Sequence, residues 1–209
     1  MATTPTPATA ARRRLSPEQR RDQLLAIGSK LFAERPYDEV WIEEVAELAG
    51  VSRGLLYHYF PTKRDFFAAI VERSVAHMLR ATEISPDLPM AEQVAAGLDA
   101  YIAFFLEHPY AMLAVNRGAL AGDAQVQCAI RREMTILQER IVDALGLTGD
   151  KRKLATLAVH SWLAFTRAAC VEWVQNRTVS KEELRTLCMR SLSGALAPVA
   201  QLDALPAKA

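Results

Sequence analysis

The chain is poor in several residue types, and each scarcity excludes something. It has 3 cysteines in 209 residues, and Cys128, Cys170 and Cys188 are far apart with no CxxC pair. Neither a disulfide framework nor a zinc ribbon is therefore expected, and all three read as buried small apolar residues. Glycine (9) and proline (10) are few and gather at breaks. The segments between are rich in Ala, Leu, Glu, Arg and Gln, which favour helix. No uncharged apolar run of bilayer length occurs and the first residues lack the apolar core of a secretory signal, so a cytoplasmic chain without a membrane partner is expected. The phosphate-cradling and catalytic patterns GxxxxGK[ST], GxGxxG, HExxH and GxSxG are missing, and His58, His77, His108 and His160 are isolated. No catalytic residue, metal or cofactor is expected, and the chain does not read as an enzyme.

An excess of one charge is also missing, since the formal net charge is +1. The distribution says more. Arg12, Arg13, Arg14, Arg20 and Arg21 fall close together against the single acid Glu18. The N-terminal stretch is a candidate phosphate-facing arm, although residues 1–15, built at first of Thr, Pro and Ala, read equally as a disordered basic tail.

Helical signals fill the rest. Ser16-Pro17-Glu18-Gln19 offers an N-cap, a proline at the first helical position and a capping box, and it opens a helix that Arg35-Pro36 closes. Two short helices, Ile42 to Ala49 and Arg53 to Tyr59, flank the turn Gly50-Val51-Ser52. Thr62 caps a fourth, Lys63 to Ala81, which turns Phe66, Phe67, Ile70, Val71 and Val75 inward. Ser85-Pro86-Asp87-Leu88-Pro89 marks the best boundary, with residues 16–81 as one unit and 82–209 as another. Further helices are predicted from Met90 to Glu107, Tyr110 to Leu120, Ala124 to Leu145, over 151–176, and from a Ser180 cap with Glu183 to about Ala197. The fold class is all-α.

The stretch Val45 to Tyr57 has the logic of two helices crossing steeply. Gly50 can take the positive φ of the turn, Val51 and Leu56 fill the wedge, and Ser52 caps the second helix, which presents Arg53, Gly54 and Tyr57 outward. Arg53 stands where a recognition helix meets base edges, and a guanidinium pairs with guanine in two places at once. The run from Ala46 through Gly50-Val51-Ser52-Arg53-Gly54-Leu55-Leu56-Tyr57-His58-Tyr59-Phe60-Pro61-Thr62 to Lys63 resembles the signature of the TetR family of transcriptional regulators. The resemblance implies an N-terminal three-helix DNA-binding domain, with Arg53, Gly54, Tyr57, Tyr59 and Lys63 at the DNA. The helix N-terminus beside Ser52 suits a phosphate oxygen, and His58 is a further DNA candidate that reads equally as a solvated surface residue. Trp41 departs from the Ser or Thr that the family uses to cap its second helix and hold phosphate, and Glu44 is expected to replace part of that cap.

Helix 151–176 is apolar nearly all round, with His160 and Arg167 marking one narrow polar strip. One core cannot use all of that surface, so a homodimer through the last two helices is expected, as the resemblance also implies. By resemblance, Tyr101, Phe104, Phe105, Met112, Val115, Asn116, Trp162 and Phe165 lie on helices that surround an effector pocket, though each also suits a plain core. Asn116-Arg117 is the expected polar end, for a mostly apolar small molecule. The expected function is a homodimeric repressor that reads a pseudo-palindromic double-stranded operator and is released by its ligand. A ligand-independent architectural protein of the same fold is the alternative.

Overall fold

The computed structural model describes residues 15–83 and 88–200. Arg12, Arg13 and Arg14 of the basic arm, and Ser85, Pro86 and Asp87 of the expected boundary, lie outside the described residues. Among those described there are nine α-helices, one short 3-10 turn and no strand. The helices are α1 (Pro17–Glu34), α2 (Ile42–Ala49), α3 (Arg53–Tyr59), α4 (Lys63–Ala81), α5 (Met90–Glu107), α6 (Pro109–Asn116), α7 (Ala124–Ala144), α8 (Gly149–Asn176) and α9 (Lys181–Leu196), with the 3-10 turn at Tyr37–Glu39. The fold is all-α.

Local chemistry sets most helix starts. At α1 the Ser16 hydroxyl accepts from the Gln19 amide while the Gln19 side chain accepts from the Ser16 amide, so two orphan donors are satisfied at once. The same reciprocal box recurs with Thr62 and Asp65 at α4 and with Ser180 and Glu183 at α9. The sixth helix stops at Asn116, short of the expected Leu120. Its end is closed by the Arg117 amide donating to the Leu113 carbonyl. Leu120 is fully buried, but it anchors the turn that follows.

The α4 helix sits at the centre. It buries Phe66, Phe67, Ala68, Ala69, Ile70, Val71, Val75 and Met78, packing on α1 at one side and on α5 and α7 at the other. The α1–α4 crossing is close enough to need a glycine: a Cβ on Gly28 would stand 2.4 Å from the Phe66 ring. One contiguous apolar core thus runs from the N-terminal helices into the C-terminal ones.

By length and hydropathy α8 would suffice to cross a bilayer. It packs against α7 and α9 and buries Val159, Trp162, Leu163, Cys170 and Val174, while 39% of its apolar window is buried and Leu154, Leu157 and Phe165 stay exposed. Two cysteines match their expected burial, Cys170 and Cys188. Cys128 is exposed on α7, a correction that follows from its position outside the buried stripe of Val126, Ala129 and Ile130.

Candidate nucleic-acid interface and interior cavity

The α2 helix ends on Gly50, whose φ of 64° and ψ of 40° are left-handed, so the chain turns at once into the second short helix. Ser52 caps that helix by accepting from the Leu55 amide at 3.2 Å, and Leu56, fully buried, fixes it against the core. The opposite face is left to solvent: Ser52, Arg53, Gly54, Tyr57 and His58 are all exposed. A Cβ on Gly54 would meet nothing within 4 Å, as is also the case at Gly97 on α5 and Gly194 on α9. In the first turn of α3 a glycine still costs some helix stability relative to alanine, and no internal packing explains that cost. The bare backbone is accessible only to something outside the chain.

The remaining candidates are held in particular ways. The Tyr57 phenol donates to the Glu43 carboxylate at 2.8 Å, which lowers the Glu43 pKa and raises that of Tyr57. Tyr59 is half-buried beside Phe60. The Lys63 ammonium lies 4.4 Å from the centre of the Tyr37 ring, and burial lowers its pKa. Tyr37 in turn stacks on Phe32 at 5.8 Å and meets Phe67 edge-on at 5.3 Å. Trp41 caps α2 without any side-chain hydrogen bond and is 71% exposed. Glu44 does not take over the cap, contrary to expectation. Its carboxylate receives the Arg35 guanidinium at 2.6 Å, where the opposite charge at the end of α1 holds it.

An interior cavity lies between α1, α4, α5, α6, α7 and α8. Only about 30 Å³ of it accepts the centre of a water molecule. Anything larger must move side chains. Tyr101, Phe104, Phe105, Met112 and Val115 line it, together with Ser29 and Phe32 of α1 and Phe67, Ile70 and Met78 of α4. Tyr101 also lines a neighbouring cavity with Trp162 and Thr166. Trp162 is thus in the second space and not the first, with its indole N–H donating to the Cys188 carbonyl at 2.7 Å. Asn116 lines a groove on the other side of α7, and its amide nitrogen donates to the Met112 carbonyl at 2.7 Å. Phe165 is 40% exposed and lines none of these spaces, which corrects its assignment: it sits on the outward face of α8.

Ser29, Ser74, His108, Glu133 and Arg167 also line the first cavity, outside the residues expected for the pocket. Arg167 leaves the expected polar strip and turns inward, its Nε donating to Asn116 Oδ1 at 2.8 Å and its Nη1 to Tyr101 Oη at 3.3 Å. His160 stays at the surface, 3.0 Å from Gln138 Oε1. Glu133 is 5% exposed, and burial pushes its carboxyl up to about 6, with Arg167 opposing that rise. A signal for it existed: Glu133 interrupts the apolar stripe Val126, Ile130, Leu137, Ile141 at helical spacing. The Tyr101 phenol is likewise raised by burial.

The family profile described as "Bacterial regulatory proteins, tetR family" matches residues 24–70, from α1 into α4. The HTH-type transcriptional activator FasR of Mycolicibacterium smegmatis is 31% identical over 97 residues, covering 46% of this chain and 44% of that protein. The chain thus matches less than half the length of that relative. The uncharacterized HTH-type transcriptional regulator YhgD of Bacillus subtilis is 28% identical over 175 residues, or 80% of this chain and 92% of that one. Among solved structures, a tetR-family transcriptional regulator from Streptomyces coelicolor superimposes with a TM-score of 0.81 at 27% identity, covering 89% of this chain and 84% of that one.

Proposed function

The chain belongs to the TetR family of bacterial regulatory proteins, and from that premise we propose that it is a DNA-binding transcriptional regulator, not an enzyme. It acts as a homodimeric repressor that a small, mostly apolar molecule releases from a pseudo-palindromic operator in the cytoplasm. The observation that carries the DNA reading is the capped α3 helix, with Arg53, Tyr57 and His58 exposed around a Gly54 that its own fold does not require. Two such helices about 34 Å apart enter successive major grooves of one operator. Arg53 and Gly54 face bases, while Ser52, Tyr57, His58, Tyr59 and Lys63 hold the register on phosphate and sugar.

Dimerisation is supported by unpartnered apolar surface. On α8, Leu154, Leu157 and Phe165 are exposed, and Leu187 adds to it on α9. A second copy related by a two-fold axis covers both helices in a four-helix bundle. The cavity supports the release step because α1 and α4 form part of its wall. A ligand that spreads the wall shifts the DNA-binding helices, to the extent that it binds the shifted state better.

Selection of bound sequences from a random DNA pool tests the DNA reading. The expected product is a pseudo-palindrome with half-sites about one helical turn apart, and a pool that never enriches overturns it. The narrowness of the cavity favours one rival, a ligand-independent DNA-binding protein of the same fold. A melting scan against a panel of small apolar compounds decides between them, since a ligand that binds the native state raises the midpoint. No shift from any compound favours the rival.

A further inference from the structure

On the reading that the interior cavity takes an effector, we infer that this ligand ends in an anionic head group, held in the groove between α6, α7 and α8, with its apolar body in the cavity. The groove is lined by Arg117, Arg131, Arg167 and His160, with Asn116 and Gln127 between them and no carboxylate among the described lining. Arg117 is neutralised by Glu172 at 2.7 Å. Arg131 and Arg167 form no ion pair among the described residues. The half-buried Arg167 guanidinium donates only to a neutral amide and a neutral phenol. The guanidinium carries its charge already, and an anionic acceptor would add the attraction of the opposite charge that an amide or a phenol lacks, so a carboxylate, sulfonate or phosphate is the natural replacement.

The groove and the cavity share a wall. Ile130 and Arg167 line both, so moving one side chain joins the two spaces. The direction of the ligand follows from Glu133, which lies on the cavity side and faces Arg167 without pairing to it. A second negative charge inside the cavity would sit against this carboxylate, whereas in the groove it meets only cations and neutral groups. The head therefore stays outside and the apolar body goes in. When Arg167 turns to the head, it releases Tyr101, the residue that separates the first cavity from its neighbour. The merged space gives room that the ligand-free cavity lacks.

Three probes with one tail and different heads test this: decanoate, decylamine and decanol, each below its micelle concentration, bound to the full-length protein near neutral pH. Decanoate is expected to raise the melting midpoint most and to bind about tenfold more tightly than decanol, the worth of one exchanged charge-assisted bond. Arg167→Met abolishes that preference. Arg131→Ala, a surface change that leaves folding intact, weakens decanoate and leaves decanol unchanged. Decylamine or decanol binding as tightly as decanoate overturns the anionic head while the effector reading stands. If none of the three binds but other apolar compounds raise the midpoint, the head group alone is overturned; if nothing binds, both readings fall.

Discussion

The phenol of Tyr57 on α3 donates to the carboxylate of Glu43 on α2 over 2.8 Å. A residue proposed to face the operator is therefore already engaged by an acid of its own domain, and Glu43 adds a negative charge where phosphates would arrive. Glu43→Gln is expected to tighten operator binding several-fold, with the gain shrinking as salt rises. Tyr57→Ala weakens it, as does Lys63→Ala, which also flattens the salt slope by about one unit. Titrations of a labelled operator at several salt concentrations read all three. Weaker binding by Glu43→Gln would instead mark Glu43 as a base-reading acceptor.

Gly54 separates stability from function. With open space around its Cβ position, Gly54→Ala is expected to stabilise the fold by about 0.5 to 1 kcal/mol in denaturant unfolding. The same change lowers operator affinity, because a methyl group then stands between the helix and the groove. Unaltered affinity would show that the backbone does not approach DNA at this point.

Glu133 makes stability depend on pH in a defined direction. Its folded pKa of about 6 lies above the ordinary value of 4.5. Below the ordinary value both states are protonated and the buried carboxyl costs nothing. As pH rises through 4.5 to 6 the unfolded chain loses its proton more readily, and stability falls by about 2 kcal/mol. Glu133→Gln is expected to match the wild type near the acid end of this window and to exceed it by about that amount above the window. Parallel unfolding curves at every pH would contradict the assignment.

Leu157 is 62% exposed in the middle of α8. Leu157→Glu is expected to halve the molecular mass seen in sedimentation while the helical circular dichroism stays unchanged, and to weaken operator binding because paired half-sites need paired helices. A dimer that survives the change places the interface elsewhere.

Where the physics is local, the sequence told it. The reciprocal boxes at Ser16 and Gln19 and at Ser180 and Glu183 announce helix starts, and Gly50 with Ser52 announces the turn and the cap between α2 and α3. The exposed face of α3 was legible for the same reason. Tertiary pairing was not. Nothing near Glu44 in sequence says that Arg35 claims it, and nothing near Arg167 says that Asn116 and Tyr101 draw it inward. Phe165 illustrates a second limit: on a helix apolar nearly all round, periodicity cannot tell the face turned to the core from the one turned away.

Phe32 and Phe67 line the cavity, carry Tyr37 between them, and so support the ring on which Lys63 rests. Under the proposed function one set of rings shapes the pocket and seats a cation at the operator. Effector range and operator grip are then not independent traits. A substitution that trims Phe32 or Phe67 to admit a bulkier molecule also loosens the hold on DNA, and selection for either property carries the other with it.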